Sequence, residues 1–159
     1  MRKRHGVTEL MRFMRMRVKF TVWGEPKGKG RPRFSRTGSY TKTYTPPETA
    51  EYENLVRLEY HSQCGNVKFD KNKMLDLRIF AYFRIPKSAS RRKRVQMTER
   101  SIRPTKKPDM DNIIKVIADA LNDIAYHDDA QIVDTMVRKF YSDKPRVEVI
   151  IQEVQNNGK

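Results

Sequence analysis

The chain has 159 residues, of which 34 are Lys or Arg and 19 are Asp or Glu, giving a formal net charge of +15. This length fits one domain, and a single cysteine, Cys64, excludes an internal disulfide and any multi-cysteine zinc site. No apolar run approaches the roughly 18 residues that a membrane-spanning helix needs. We therefore expect a cytoplasmic protein with no membrane partner and no small-molecule cofactor.

The positive charge favours a polyanionic partner, because each phosphate that Lys or Arg neutralises releases condensed counterions. A solvated basic surface, or affinity for anionic lipid, is the alternative. Residues 1–16 are basic but lack the apolar run of a signal peptide, so we treat them as an extension outside the domain. The domain is then predicted over residues 17–154, followed by a frayed polar tail over 155–159.

The first predicted element is a strand over residues 18–23, where β-forming residues alternate. Residues 24–33 follow and are too rich in Gly and Pro for regular structure. Alternating cations occupy this segment, and aromatic residues come soon after it. The cations are Lys27, Lys29, Arg31 and Arg33. We interpret the segment as a flexible arm that holds DNA, with a solvated loop as the alternative.

A helix is predicted from Pro47 to about residue 61, because Pro suits the first turn and apolar residues share one face. Residues 74–85 alternate apolar and polar side chains, which predicts a strand. The long connection over 84–107 then carries ten basic residues and one acid. We expect it to be a second DNA-contacting arm, and its candidate contacts are Arg91, Arg92, Lys93, Arg94, Lys106 and Lys107. A solvated charge run is again the alternative.

An amphipathic helix is predicted over about 109–124, followed by strands over 131–141 and 146–154 with a turn at residues 142–145. This order of elements indicates an α+β domain with one mixed central sheet and two main helices.

Carboxylates concentrate in one part of this basic chain, with seven acids and one lysine between Asp109 and Asp134. DNA repels an acidic patch unless divalent cations lie between the carboxylates and the phosphate, and Mg²⁺ prefers oxygen ligands. Asp109 and Asp111 are two residues apart and can reach one ion from an extended lead-in. Asp128 and Asp129 are candidates for the remaining ligands.

A lysine lies among these acids, since Lys115 follows Asp111 by four residues and shares its helix face. It can steady the carboxylates, hold the scissile phosphate or stabilise developing charge. Each residue also has an ordinary explanation. Asp109 can cap the helix, Lys115 can form routine surface pairs, and the adjacent acids at 128 and 129 can be turn residues.

The same residues carry a resemblance to a known family. The segments 107–115 (KPDMDNIIK), 119–122 (DALN) and 128–133 (DDAQIV) resemble the RusA family of crossover-junction endodeoxyribonucleases. Lys139, the closing RVEV at 146–149 and the basic KGRPR at 29–33 extend the similarity over residues 18–154.

This resemblance implies a homodimer that nicks paired strands of a four-way (Holliday) junction with Mg²⁺ or Mn²⁺, often encoded by a phage or prophage. By motif position, Asp109, Asp111 and Asp129 are the metal-binding catalytic carboxylates. Asp128 is an accessory ligand, and Lys115 is the catalytic lysine. A two-fold dimer suits a four-way junction, which has approximate two-fold symmetry.

Three other functions remain open from the sequence. A non-catalytic nucleic-acid-binding protein explains the basic surface but gives the acidic segment no role. A metal-dependent nuclease for flaps or other branched DNA would use the same residues. A structural protein that coats DNA would be indifferent to branching.

Overall fold

Four strands form one mixed sheet and a separate hairpin stands beside it, in a computed structural model that describes residues 15–154. The elements are β1 (Arg17–Trp23), β2 (Arg33–Thr37), β3 (Tyr40–Tyr44), α1 (Pro47–Cys64), β4 (Leu75–Arg84), α2 (Arg91–Thr98), α3 (Met110–Ala120), a short 3-10 helix (Asp129–Gln131), β5 (Ile132–Ser142) and β6 (Arg146–Glu153). The predicted α+β class with a mixed sheet is confirmed. Most of the predicted extension and the whole predicted tail lie outside the described residues.

The strand order in the sheet is β1-β6-β4-β5. Strand β6 is antiparallel to both of its neighbours, and β4 pairs with β5 in parallel. Strands β5 and β6 are therefore not partners, although only residues 143–145 separate them, because β4 lies between them. Strands β4 and β5 run in the same direction, so the chain from the end of β4 returns through α2 and α3 before β5 begins.

One face of the sheet forms the core with α1 and α3. The apolar residues that alternate along β4 are each at most 2% exposed, which confirms their predicted inward direction; they are Leu75, Leu77, Ile79, Ala81 and Phe83. Helix α1 packs against β1 and α3, and its predicted apolar face buries Tyr52, Val56 and Tyr60. Within the described residues, no helix is long and apolar enough to cross a membrane.

Besides the short 3-10 helix, two elements were not predicted. The β2–β3 hairpin, closed around Gly38 at φ +65°, follows the basic loop. All ten of its strand residues are exposed, so no alternation of buried side chains marked it. Helix α2 lies inside the segment predicted to be a long connection, and it buries only Met97 among eight residues. Its basic composition hid the short apolar contact that packs it against β5.

Candidate active site

The basic loop, residues 24–32, packs against the starts of α1 and α3. The Lys29 amide donates to the Asn112 carbonyl (2.8 Å) and the Gly30 amide to Thr49 Oγ1 (3.1 Å). A Cβ on Gly28 would lie 2.7 Å from Pro108 Cβ, so only glycine permits this approach. Backbone hydrogen bonds and close contacts therefore hold residues 28–30 of the loop against both helices. That the loop is a flexible arm that holds DNA stays a prediction.

Lys29 lies inside a small ionic network and is only partly exposed to solvent. Its Nζ contacts the carboxylates of Glu53 on α1 and Asp119 on α3, the latter at 2.8 Å. Burial lowers the pKa of Lys29, but the hydrogen bonds that it donates to Asp119 and Glu53, together with their negative charges, outweigh burial, and the net shift is upward. The side chain thus holds the loop against both helices, and its contact with DNA stays a prediction.

An open cleft of about 860 Å³ lies between this loop, the start of α1 and the residues that precede α3. Three exposed cations line it, namely Lys27 and Arg31 of the loop and Arg33 at the start of β2. Lys107 and Asp109 line the opposite side. The cleft therefore joins the predicted phosphate-binding cations to one of the predicted catalytic carboxylates.

Asp109 occupies the N-cap position of α3, directly before the first turn of the helix. Within the described part of the chain, however, its side chain makes no capping hydrogen bond to the helix. Asp111 lies in the first turn and is exposed. Both carboxylates are exposed, but only Asp109 lines the cleft. Ordinary capping does not account for Asp109.

Lys139 holds the segment before Asp109 in place. In the sequence analysis, only the family resemblance pointed to this residue. It projects from the core face of β5 and is 8% exposed. Its Nζ donates to the carbonyl oxygens of Lys106 and of Pro108, the latter at 3.1 Å. Burial lowers the pKa of Lys139, and Asp109 opposes that shift. A lysine at a core-facing position of a strand was the sequence signal for this role.

The adjacent acids at 128 and 129 have different environments. Asp128 Oδ1 accepts from the Ala130 amide (2.7 Å), and Gln131 Oε1 accepts from the Asp128 amide (3.3 Å), so these two residues cap the 3-10 helix reciprocally. The Asp129 amide donates to Asn122 Oδ1 (2.8 Å), and its carboxylate lies within hydrogen-bonding reach of the Asp128 side chain. Burial raises the pKa of Asp129, and Asp128 and Asp119 raise it further. The repulsion among these carboxylates is the kind that a cation relieves.

Lys115 is exposed on the face of α3 between Asp111 and Asp119. Within residues 15–154 it forms no salt bridge, and Asp119 is paired with Lys29 instead. Routine helix-surface pairing therefore does not account for Lys115, whose ammonium is free to meet an anionic ligand.

The candidate carboxylates form two groups at opposite ends of α3. We call Asp109 and Asp111 the leading pair, and Asp119, Asp128 and Asp129 the trailing group. A helix rises about 1.5 Å per residue, so the two ends of α3, Met110 and Ala120, are ~15 Å apart. In the region that the structure describes, no three Asp, Glu, His or Cys side chains are arranged to hold a metal ion. The oxygen donors suit Mg²⁺, but one chain does not bring the two groups together.

The second predicted DNA-binding segment is folded. Arg91, Arg92 and Lys93 are exposed along α2, whereas Arg94 reaches the Asp143 carboxylate at 3.9 Å. In the loop that follows, the guanidinium groups of two arginines lie over the Phe140 ring at 4.4 and 4.7 Å; they are Arg100 and Arg103. Lys106 and Lys107 are exposed beside the cleft.

A basic cleft with carboxylates at its edge is typical of proteins that bind DNA and act on its phosphodiester backbone. A family model described as Endodeoxyribonuclease RusA matches residues 24–152. The chain therefore belongs to the RusA endodeoxyribonuclease family, which confirms the resemblance found in the sequence and makes the protein a nuclease. It is also 39% identical over 139 residues to "Uncharacterized protein YqaN" of Bacillus subtilis (strain 168), covering 86% of this chain and 96% of that protein.

Proposed function

We propose that this protein is a structure-selective endonuclease that resolves four-way DNA junctions, using a divalent cation and acting as a homodimer. The observation that carries the proposal is the position of Asp109 beside a cleft whose other charged walls are mainly cationic. Exposed cations suit the phosphates of DNA, and a carboxylate among them suits hydrolysis of the backbone better than passive binding.

The residues divide into binding and reacting groups. Lys27, Arg31 and Arg33 approach the phosphates from the loop, and Arg91 and neighbouring cations of α2 extend the basic surface.

The leading pair and Asp129 are the proposed ligands of Mg²⁺ or Mn²⁺, with Asp128 as an accessory ligand. Such a cation polarises the scissile phosphate and activates water when it is bound. Lys115, which is exposed one turn after Asp111, is the proposed partner of the phosphate charge.

Selectivity for a junction follows from symmetry. A four-way junction presents two equivalent strands, and a two-fold dimer presents two equivalent sites to them. A monomer would nick one strand at a time. The proposed dimer accounts for paired nicks.

The test uses the purified protein with a synthetic immobile four-way junction and a linear duplex of matched sequence. Each substrate is incubated with Mg²⁺, with Mn²⁺ and with EDTA, and Asp111→Asn is run in parallel. We expect symmetric nicks in the junction alone, only with the metals, and an Asp111→Asn protein that binds but does not cut.

Preferential cutting of a flap would replace the junction by another branched substrate. Tight binding without cutting of any substrate would reject the proposal in favour of a non-catalytic DNA-binding protein.

A further inference from the structure

The β2–β3 hairpin gathers aromatic rings and cations on one of its two sides. Residues directly opposite each other in an antiparallel pair share a side, and so do alternate residues along each strand. We call one side the ribbon face, and it consists of three cross-strand pairs: Arg33 with Tyr44, Ser35 with Lys42, and Thr37 with Tyr40. The opposite side carries Phe34, Arg36, Thr41 and Thr43.

The rings of the ribbon face do not contribute to a core. Tyr40 is 85% exposed and Tyr44 is 41% exposed. A single exposed ring is common on protein surfaces. Here, however, two rings lie on one side of a hairpin, and Lys42 lies between them, about 7 Å along the strand from each. A two-stranded hairpin with no buried residue gains little stability of its own, so folding does not explain these rings.

The charge of the hairpin suits a nucleic acid. Residues 33–44 contain three cations and no acid, and the cations are Arg33, Arg36 and Lys42. Within residues 15–154 none of these cations forms a salt bridge. Cations that hold the phosphates, together with rings on which successive bases stack, are the usual means of binding single-stranded DNA.

The ribbon face begins at the cleft. Arg33 lines the same cleft as Asp109, and from Arg33 to Thr37 an extended strand advances about 14 Å. One strand of DNA advances about 3.4 Å per nucleotide, so the hairpin is as long as about four nucleotides. A strand whose phosphate lies in the cleft can therefore place its neighbouring bases over the two tyrosines.

The rings favour unpaired bases over an intact duplex. A ring stacks on the face of a base, and in a continuous duplex each face is covered by the neighbouring base pair. A two-stranded ribbon can also lie in the major groove, but there it contacts the edges of the bases. Those edges offer the two tyrosines no surface on which to stack, whereas bases splayed at a branch point expose their faces.

We propose that the ribbon face binds unpaired bases of the DNA strand that enters the cleft. Tyr40 and Tyr44 stack on bases within about four nucleotides of the cleft, and Arg33 and Lys42 hold the intervening phosphates. This inference rests on the proposed function and deepens it, because it names the feature of branched DNA that a single chain recognises.

Binding to gapped DNA tests the proposal. Fluorescence anisotropy in EDTA, which prevents cleavage, compares a duplex that has a gap of about four unpaired nucleotides with the intact duplex. We expect the wild type to bind the gapped DNA more tightly. Tyr40→Ala and Tyr44→Ala should each raise the Kd for gapped DNA by at least about 5-fold, the lower limit for losing one base–aromatic stack. Their Kd for the intact duplex should not change.

Phe34→Ala is the matched control, because its ring is 71% exposed on the opposite side of the same hairpin. It should bind both DNAs as the wild type does, and Tyr40→Phe, which keeps the ring, should also bind gapped DNA normally. Three results would each overturn the ribbon face: equal losses on gapped and intact DNA, a Phe34→Ala protein as weak as Tyr40→Ala, or a Tyr40→Phe protein as weak as Tyr40→Ala.

Photo-cross-linking gives a second readout on a four-way junction. On irradiation, 5-iodouracil cross-links to an aromatic side chain that stacks on it. We expect mass spectrometry to find adducts of Tyr40 or Tyr44 from positions within about four nucleotides of the branch, and none from positions deep in the arms. Adducts from the arms alone, or none from a junction that is bound, would contradict the proposal.

The ribbon face and the proposed function fail separately. A wild type that cuts no DNA, yet prefers gapped DNA through its tyrosines, rejects the proposed function alone. A wild type that cuts junctions and binds gapped and intact duplex equally rejects the ribbon face alone.

Discussion

Replacing Lys139 by methionine tests whether the buried ammonium fixes the segment that carries Asp109. Methionine has a similar length and no charge, so the change removes the hydrogen bonds to the carbonyls of Lys106 and Pro108 and leaves the packing nearly intact. Each carbonyl that loses its partner costs about 1–3 kcal/mol. Relief from burying an ammonium offsets part of this loss.

The net expectation is a loss of about 1–3 kcal/mol in the free energy of unfolding, by the same hydrogen-bond energies. For a domain of this size, 1 kcal/mol corresponds to about 2–4 °C in Tm. Calorimetry of Lys139→Met should therefore show a Tm lower by roughly 2–12 °C. Junction nicking should fall too, because the lead-in to Asp109 loses its brace.

Lys115→Met is the matched control, since it removes an exposed ammonium from the same region. Its Tm should stay near that of the wild type, because surface substitutions usually change stability by no more than about 0.5 kcal/mol, while nicking should be lost. If Lys139→Met melts within a degree of the control, the buried ammonium does not hold the segment and the reasoning fails.

Three further changes probe the loop, the sheet and the hairpin. Gly28→Ala places a Cβ 2.7 Å from Pro108 Cβ. We expect this overpacking to lower the free energy of unfolding, measured by urea denaturation, by about 1–3 kcal/mol. Unchanged stability would argue against the close approach of the two residues. Burial raises the pKa of Glu148, but hydrogen bonds and charge interactions with Arg146 and Lys19 lower it by more, so the net shift is downward. Ionised Glu148 therefore stabilises the folded protein above pH 4.5, and this stabilisation is lost as the pH falls through the pKa of Glu148 in the folded state. Glu148→Gln should destabilise the protein at neutral pH and not in strong acid, and a pH-independent difference would exclude this ion pair as the cause. Tyr40→Ala removes a ring that is 85% exposed; we expect unchanged Tm and weaker junction binding by fluorescence anisotropy, and equal binding would leave the hairpin without a role on DNA.

The sequence predicted those parts of the fold in which buried apolar residues recur at the period of a strand or a helix. The alternation along β4 predicted both the strand and its inward face. The apolar stripe of α3 likewise placed Ile113 and Ile117 in the core, where both are fully buried. The order of the strands left no such trace, because nothing in the residues of β5 and β6 indicates that β4 separates them.

The sequence predicted which residue types make up the candidate site, but it did not predict how they are arranged in space. The acids, Lys115 and the cations of the loop were found from residue type and spacing. Their arrangement depended on features that local sequence does not express, such as the close approach of Gly28 to Pro108. Asp109 precedes α3 and Asp129 follows it, so the length of this rigid helix separates the two residues. Proximity in sequence to one helix suggested proximity in space, and the helix itself prevents it.

Strand β6 has a consequence for how the protein acquires its structure. It comes last among the described strands, yet it lies inside the sheet and pairs with both β1 and β4. Contacts between such distant segments form slowly, because the intervening chain must first be brought together. During synthesis, β1 and β4 emerge with an unfilled position between them, and the sheet can close only once β6 leaves the ribosome. A nascent chain therefore cannot complete the four-stranded sheet before β6 has been synthesised.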